Sequence, residues 1–259
     1  MCVCTQADAD EKYAPRLGQA GKDAVWAPTP QVLVDTMLNM ANVTSSDYVI
    51  DLGSGDGRLV IAAAKRGATA LGIEYNPDLV EFARRAATEA GVSTRATFEK
   101  ADILESDFSK ATVITLFMLP DTNLKLRPII LNMKPGTRIV ANTYGMGGWE
   151  PDQTTNIVEY CPYCSVEAYC SDWHIAHLWI VPARVNGIWK FDEGQIRFTQ
   201  EFQHVSGNLT TKKAKMKLIG KLDGDKLTFA AGGTEYIGTV SDNMISGTRA
   251  GGGVWQATR

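Results

Sequence analysis

The sequence predicts two structural units, a doubly wound α/β sheet followed by a small all-β domain. Up to residue 185, short apolar strands alternate with helical stretches, which is typical of a parallel sheet. All ten prolines lie before residue 186, whereas twelve of the 24 glycines lie after it. The charge changes there too, because 16 Lys and Arg against 22 Asp and Glu give −6 before residue 186, and 10 against 7 give +3 after it. We therefore expect an N-terminal extension (1–24), an α/β domain (25–185) and a β-rich domain (186–259).

The composition is that of an ordinary globular protein. With 44% apolar and 21% charged residues, the 259-residue chain differs from collagen-like, disordered and disulfide-framework sequences. No apolar run approaches the roughly 20 residues of a membrane helix, and the first 15 residues contain no apolar signal-peptide core. The net charge of −3 differs from the strongly positive charge that is typical of nucleic-acid-binding domains. These features predict a cytoplasmic protein with no stable membrane insertion and no nucleic-acid partner.

The elements of the α/β domain follow from capping signals and apolar spacing. The first helix is predicted to begin at Thr29-Pro30, with Thr29 as N-cap and Pro30 at the first helical position. Two further helices are predicted to end at Gly67 and Gly91, and a fourth is kinked by Pro128. The predicted strands are Tyr48–Leu52, Ala68–Glu74, Arg95–Lys100, Thr112–Met118, Thr137–Asn142 and, last in the sheet, His174–Val181. Ligands of such sheets bind just after the strands, at their carboxyl ends.

The segment after the first strand is rich in glycine. It reads Asp51-Leu52-Gly53-Ser54-Gly55-Asp56-Gly57, and glycines at alternate positions let a backbone turn tightly and approach a ligand. A nicotinamide fingerprint would need glycine at the next position, where the chain has Arg58. The segment therefore predicts a ligand-binding turn, with a plain strand-to-helix turn as the alternative.

Acidic residues follow the next two strands. Glu74 ends the second strand, 21 residues beyond Gly53, where a carboxylate can accept hydrogen bonds from both hydroxyls of a ribose. Asp102 follows the third strand, where it can accept a hydrogen bond from an adenine amine while Ile103 packs on the ring. Each acid alone could be a solvated strand-end carboxylate. Together with the glycine turn, they predict a nucleoside site.

The segment after the fourth strand is apolar. It reads Phe117-Met118-Leu119-Pro120 and contains no acid or base. Phe117 and Leu119, together with Tyr144 beyond the fifth strand, are the candidates for a substrate pocket. A buried strand end explains the same segment equally well.

These motifs resemble those of the class I, or seven-β-strand, S-adenosylmethionine-dependent methyltransferases. The resemblance covers roughly residues 25–185 and rests on the glycine turn, the strand-end Glu74 and Ala101-Asp102-Ile103. A closer similarity is to the small protein-lysine methyltransferases that modify an ATP synthase subunit and the adenine nucleotide carrier. It is carried by Asp51–Arg58, Ile61–Gly67, Gly72–Val80, Trp149-Glu150-Pro151-Asp152 and Val25-Trp26-Ala27-Pro28-Thr29-Pro30.

The resemblance implies a Rossmann-like fold, S-adenosylmethionine as cofactor and a role for each motif residue. Glu74 would hold the ribose, Asp102 and Ile103 the adenine, and Asp51 the loop or the methionine amine. The full set of implied cofactor-binding residues is Trp26, Pro28, Thr29, Asp51, Gly53, Ser54, Gly55, Gly57, Glu74, Tyr75, Asp102 and Ile103. For Trp26, Pro28 and Thr29, helix capping and a hydrophobic staple are the alternative roles.

The resemblance also implies in-line methyl transfer to a protein lysine. A desolvated amine loses its proton more easily, so the apolar rim suits lysine, but it suits a thiol or another small acceptor as well. The chain departs from the resembled enzymes in two ways, since it shows no hydrophobic N-terminal anchor and carries an additional C-terminal unit. A small-molecule thiol or amine methyltransferase, a non-catalytic cofactor-binding scaffold and a nicotinamide enzyme remain as alternatives. The sequence leaves the oligomeric state open.

Cysteine and histidine residues cluster near the end of the α/β domain. Cys161, Cys164 and Cys170 precede His174 and His177, a spacing within reach of tetrahedral zinc. Strand alternation would send the two histidines to opposite faces, which favours a disulfide or free thiols over a metal site, with zinc as the alternative.

The C-terminal unit reads as an antiparallel meander, barrel or sandwich. Turn signals separate short alternating stretches at Gly194–Phe202, Lys215–Ile219, Lys226–Ala230, Glu235–Val240, Met244–Thr248 and Val254–Ala257. It contains no catalytic constellation. Lys212, Lys213, Lys215 and Lys217 are interpreted as a solvated edge, with a site for an acidic partner as the alternative.

Overall fold

The computed structural model describes residues 13–157, 173–191 and 193–259. Its first unit contains helices α1 (Gln31–Met40), α2 (Arg58–Lys65), α3 (Pro77–Glu89) and α4 (Pro120–Ile130). The strands of this unit are β1 (Tyr48–Leu52), β2 (Thr69–Glu74), β3 (Ala96–Lys100), β4 (Val113–Leu116), β5 (Arg138–Asn142), β6 (Gln153–Asn156) and β7 (Ile175–Ile180). None of the helices in these ranges is long and apolar enough to cross a membrane.

The seven strands form one mixed sheet. Their order is β3-β2-β1-β4-β5-β7-β6, with β1 to β5 parallel and β7 antiparallel to both of its neighbours. Two apolar clusters pack on this sheet, one with α1 and α2, the other with α4 and Phe108. Apolar layers on both faces explain why the central strands read as continuous apolar runs. The predicted doubly wound sheet is confirmed.

The start of α1 differs from the prediction. Pro30, not Thr29, is the N-cap, and no side chain caps the helix. Thr29 is buried, and its hydroxyl accepts a hydrogen bond from the Asn142 amide at 3.3 Å, while its carbonyl accepts one from Arg58 at 2.7 Å. Thr29 therefore ties the chain before α1 to β5 and to α2. The capping interpretation is wrong because these tertiary contacts occupy its polar groups.

The C-terminal unit is a closed antiparallel barrel of eight strands. They are β8 (Gly187–Phe191), β9 (Gly194–Glu201), β10 (His204–Thr211), β11 (Lys215–Asp223), β12 (Lys226–Ala231), β13 (Thr234–Ser241), β14 (Met244–Arg249) and β15 (Val254–Thr258). β15 pairs with β8 and closes the barrel. The all-β prediction is confirmed, although β8 and β10 lie outside the stretches that the sequence pattern marked.

Aromatic side chains fill the barrel. Phe229 stacks on Tyr236 with ring centroids 4.7 Å apart and contacts Phe198 and Trp255 edge to face. Trp189 is fully buried, and the Arg259 guanidinium lies 4.7 Å from its ring centroid. The interior of this barrel is thus a packed apolar core.

One aromatic side chain connects the barrel to the sheet domain. Phe202, in the β9–β10 turn, stacks on Trp149 with centroids 6.0 Å apart, and Arg127 lies 5.5 Å from its ring. Its φ of 50° is in the left-handed region, which a phenylalanine rarely adopts. Beside it, the Gln203 amide donates to the Glu150 carbonyl at 2.8 Å. Packing against the sheet domain therefore holds this turn in a strained conformation.

We expect Phe202→Ala to lower the free energy of unfolding by about 2 kcal/mol, because it removes a half-buried ring from between Trp149 and Arg127. Urea unfolding followed by tryptophan fluorescence measures this change. Val254→Ala is the matched control: its side chain is 82% exposed, so a change below about 0.5 kcal/mol is expected. Equal effects of the two substitutions would contradict the role given to Phe202.

Candidate functional site

A cavity lies at the carboxyl ends of the central strands, under the chain that precedes α1. Its walls come from residues 20–29, the β1–α2 turn, the end of β2 and the segments after β3 and β4. Among the residues predicted from the sequence, Trp26, Pro28, Thr29, Asp51, Gly53, Ser54, Gly55, Glu74, Tyr75, Asp102, Ile103 and Phe117 line this cavity. The structure thus brings most of the predicted site to one place.

The β1–α2 turn can form because it lacks side chains at two positions. Gly53 and Gly55 have φ of +81° and +53°. A Cβ at Gly53 would lie 2.9 Å from the Met118 sulfur, and a Cβ at Gly55 would lie 2.7 Å from Trp26 Nε1. Glycine is therefore needed here both for the backbone conformation and for the close approach of the cavity walls.

Gly57 differs from the other two glycines because it does not line the cavity. It is the N-cap of α2 with φ of 82°, and a Cβ there would lie 2.7 Å from Phe98 and 2.8 Å from Ala83. The missing side chain at Gly57 allows α2 to begin close to α3 and β3. Its neighbours Asp56 and Arg58 do line the cavity, so Gly57 lies beside the wall, and its expected contact with a ligand stays a prediction.

Asp51 is buried at the end of β1. The Thr115 hydroxyl, on the neighbouring strand β4, donates a hydrogen bond of 2.5 Å to its Oδ1. Burial raises the pKa of Asp51, the hydrogen bond from Thr115 opposes this shift, and the nearby carboxylates of Asp56 and Glu74 add to it. Together they raise the pKa to about 7. Asp51 thus holds a proton more readily than an ordinary carboxyl group.

Glu74 closes the cavity on the β2 side. Its Oε2 accepts a hydrogen bond from the Gly55 N–H at 3.0 Å, and its Oε1 accepts one from the Asn76 N–H at 2.9 Å. A carboxylate has about four lone-pair sites, so two remain for a ligand. Tyr75, next in the chain, is half-exposed at the edge of the cavity.

Asp102 is engaged by a residue that the sequence did not single out. The Lys22 ammonium forms an ion pair with its carboxylate and lies 5.2 Å from the centroid of the Tyr75 ring. The hydrogen bond from Lys22, followed by one from the Leu104 N–H, lowers the pKa of Asp102. Nothing in the sequence signals this contact, because the two residues are 80 positions apart and Lys22 lies in no motif.

Residues 13–29 form a strap across the cavity. Gly18 N–H donates to the Trp26 carbonyl at 3.0 Å, and Trp26 N–H donates to the Gln19 carbonyl at 2.9 Å, which closes the strap into a loop. At its beginning, Tyr13 packs edge to face on Phe82 of α3 with centroids 6.5 Å apart. Residues 20–24, assigned to an extension by the sequence, therefore contribute to the site.

The substrate-pocket candidates lie at or near one end of the cavity. Phe117 lines it and stacks on Tyr144, with centroids 6.2 Å apart and planes inclined by 17°; Trp173 contacts Phe117 edge to face at 5.4 Å. We call Phe117, Tyr144 and Trp173 the aromatic rim. Leu119 is 42% exposed, is the N-cap of α4 and does not line the cavity. The interpretation of Leu119 as a pocket residue is not supported by this position.

The predicted cysteine cluster lies outside the described residues. His177 is half-buried, and its ring nitrogens contact the Thr154 hydroxyl at 3.0 Å and the Thr143 carbonyl at 3.2 Å. Burial lowers the pKa of His177, although the Thr143 contact opposes this shift. Within the described ranges, no three His, Cys, Asp or Glu side chains are placed to share a metal ion.

Comparison with known proteins decides the family. The family model described as "ANTKMT methyltransferase domain" matches residues 51–153. A protein-lysine N-methyltransferase of Saccharolobus islandicus is 38% identical over 135 residues, which are 51% of this chain and 84% of that protein. The chain belongs to this methyltransferase family. As a member, it is an S-adenosylmethionine-dependent methyltransferase, and the nicotinamide alternative is excluded.

Two further relatives match the methyltransferase over different lengths. An RNA methyltransferase of Salinibacter ruber, solved with S-adenosyl-L-homocysteine, is 42% identical with a TM-score of 0.54, covering 61% of this chain and 96% of that one. A lysine N-methyltransferase of Mus musculus, named for an ATP synthase subunit, is 39% identical over 108 residues. This match covers 41% of this chain and 44% of that protein. The similarity to the mouse enzyme thus concerns less than half of each protein.

We expect Gly55→Ala to lower the affinity of the methyltransferase for S-adenosyl-L-homocysteine by about tenfold or more, or about 1.4 kcal/mol, because the new Cβ displaces Trp26. Isothermal titration calorimetry measures the affinity. Gly91→Ala is the control: its φ is also positive, at +70°, but nothing lies within 4 Å of the added Cβ. An unchanged affinity of Gly55→Ala would show that Trp26 and the turn do not shape the site.

Asp51 predicts a pH dependence of stability with a definite sign. Between pH 4 and pH 7 the unfolded chain loses the Asp51 proton while the folded chain retains it, so this residue makes stability fall as the pH rises. Asp51→Asn removes the effect and keeps an acceptor for Thr115. We expect the wild type to lose stability relative to Asp51→Asn across this range, by about 1.4 kcal/mol for each unit of pKa difference. The free energy of unfolding of both proteins is measured by urea unfolding at several pH values. Equal changes with pH in the two proteins would contradict the raised pKa of Asp51.

Proposed function

We propose that this methyltransferase transfers the methyl group of S-adenosylmethionine to the ε-amine of a lysine in an acceptor protein. Two observations support the acceptor class. The chain spans 84% of a relative named as a protein-lysine N-methyltransferase. The aromatic rim borders the cavity and contains no carboxylate, so a neutral amine fits there better than a charged one. The rim is the observation that carries the proposal.

The cavity walls suit the parts of the cofactor. In the proposed arrangement, the backbone at Gly53 and Gly55 accommodates the methionine and ribose portions, where any Cβ would collide. The free lone pairs of Glu74 accept the ribose hydroxyls, and Ile103, which is buried behind Asp102, packs against the adenine. The cofactor supplies an activated methyl group on a sulfonium, and the protein has only to hold it.

The strap completes this proposed site. Trp26 lies over Gly55, and Thr29 is fixed to Arg58 and Asn142, so the strap covers the cavity from the side opposite the sheet. Asp102 can accept a hydrogen bond from an adenine amine if Lys22 shares or releases its carboxylate. Covering the cavity excludes water, which strengthens each of these polar contacts.

In this proposal, the aromatic rim binds the lysine side chain of the acceptor protein. The stacked rings of Phe117 and Tyr144 form one apolar wall beside the approaching side chain, and burial against this wall lowers the pKa of a lysine so that it loses its proton. Positioning a neutral amine in line with the methyl group supplies much of the rate acceleration. The proton leaves to solvent before transfer, since no carboxylate belongs to the rim.

Tyr144→Ala should lower the rate of methyl transfer to lysine by about tenfold or more, because one of the three rings of the aromatic rim disappears. Tyr144→Phe retains the stacked ring and should keep the wild-type rate. Both substitutions lie outside the residues that line the cofactor cavity, so affinity for S-adenosyl-L-homocysteine should stay unchanged. Steady-state kinetics with a lysine peptide provide the comparison. A loss of activity in Tyr144→Phe would point to the hydroxyl instead of the ring.

The acceptor class is tested by incubating a lysate with the methyltransferase and isotopically labelled S-adenosylmethionine, followed by mass spectrometry of proteins and metabolites. We expect label on lysine side chains of protein, at least tenfold above the level with Gly55→Ala. Label confined to thiols or amines of small molecules, or to RNA, would replace the lysine proposal. Complete absence of transfer together with normal cofactor binding would identify a non-catalytic scaffold.

A further inference from the structure

The barrel carries a cluster of cations that the sequence shows only in part. Strand register places Lys217, Asn208, Arg197 and Ile188 side by side in one row on the outer surface. The next row contains Lys215, Thr210, Gln195 and Lys190. The β10–β11 turn adds two more exposed lysines. We call Lys190, Arg197, Lys212, Lys213, Lys215 and Lys217 the basic face.

The cations of the basic face are unpaired among the described residues. None of the six takes part in an ion pair there. Elsewhere on the barrel, Lys221 of β11 pairs with Asp152, and Arg249 of β14 pairs with Glu193. Neither row contains a carboxylate. Neighbouring strands are about 4.8 Å apart, so Lys217 and Arg197, which are two strands apart, lie about 10 Å from each other. This separation is close to the Debye length of about 8 Å at physiological salt.

The position of the basic face leaves it open to a partner. The barrel contacts the sheet domain through its β9–β10 and β11–β12 turns, where Gln203 bonds to Glu150 and Gly224 bonds to Ala183. The β10–β11 turn with its lysines is at the other end of the same strands. No barrel residue lines the cofactor cavity. The basic face can therefore bind a partner without touching the reacting atoms.

The side chains around the cations indicate what kind of polyanion fits. Ile219 is 75% exposed and follows Lys217 on the same side of β11, and Ile188, 44% exposed, lies beside Arg197. These two aliphatic side chains offer a bound polypeptide an apolar surface to bury beside the charges. The two rows contain no aromatic side chain on which the bases of a single-stranded nucleic acid could stack.

We propose that the basic face docks an acidic segment of the acceptor protein. This inference rests on the proposed function, since it assigns the barrel the task of holding the protein whose lysine enters the cavity. Complementary charge raises the association rate and selects among acceptors, so it changes KM far more than kcat. The barrel would thus restrict the methyltransferase to lysines near acidic sequence.

The first test measures binding alone. Fluorescence anisotropy with a labelled polyglutamate peptide should show binding to the full chain that weakens steeply between about 50 mM and about 300 mM NaCl. The variant Arg197→Gln/Lys215→Gln/Lys217→Gln should bind about tenfold more weakly. The control variant Lys65→Gln/Lys110→Gln/Lys134→Gln removes the same charge from exposed positions near the amino ends of the sheet strands, and it should bind like the wild type.

The outcomes separate this proposal from its rivals. No binding of polyglutamate, equal weakening by both variants, or preference for a duplex RNA or for phosphatidylserine vesicles over polyglutamate would overturn it. In the transfer assay, a lysine peptide with an acidic segment should have a KM about tenfold lower than one without, and the basic-face variant should abolish that difference at unchanged kcat. If neither peptide is methylated while the variant still loses polyglutamate binding, the docking surface stands and the lysine proposal fails.

Discussion

The site depends on a backbone that passes from β1 into α2 without side chains beneath Trp26. Positive φ at Gly53 and Gly55 bends the chain so that the Gly55 N–H meets Glu74, and no Cβ separates it from the strap. Asp51 is buried under this turn, where its raised pKa follows from the same close packing. A side chain at Gly55 would collide with Trp26 of the strap, and one at Gly53 would collide with Met118 after β4. The steric constraint of this turn therefore reaches two walls of the cavity.

The two domains meet through a small set of contacts with different physical origins. Phe202 contributes an aromatic ring held at positive φ, and Lys221 contributes an ion pair with Asp152 at 2.8 Å. Gln203 and Gly224 add hydrogen bonds to Glu150 and Ala183, while the barrel strands close on one another around an internal aromatic core. This arrangement suits a module that adds a binding surface to a methyltransferase without altering its catalytic end.

Residues that share a local pattern were predictable, and contacts between distant segments were not. The glycine turn, Glu74 and Asp102 each follow a strand, so the rule for parallel sheets placed them at one edge. Gly57 belongs to the same motif, yet its packing on Phe98 and Ala83 depends on tertiary structure. Lys22 reaches Asp102 through the strap, and Arg197 joins the lysines only through barrel register. Neither the Lys22–Asp102 contact nor the grouping of Arg197 with the lysines produces a periodic pattern in the sequence.

The most direct measurement of the central claim is the affinity of the Glu74→Ala variant for S-adenosyl-L-homocysteine, determined by calorimetry beside the wild type. Hydrogen bonds to a charged acceptor contribute about 1.5 to 3 kcal/mol each, so losing those to the ribose hydroxyls should weaken binding by about tenfold or more. Thermal unfolding of both proteins controls for the loss of the Gly55 and Asn76 contacts. Wild-type affinity in a folded Glu74→Ala protein would contradict the placement of the cofactor in this cavity.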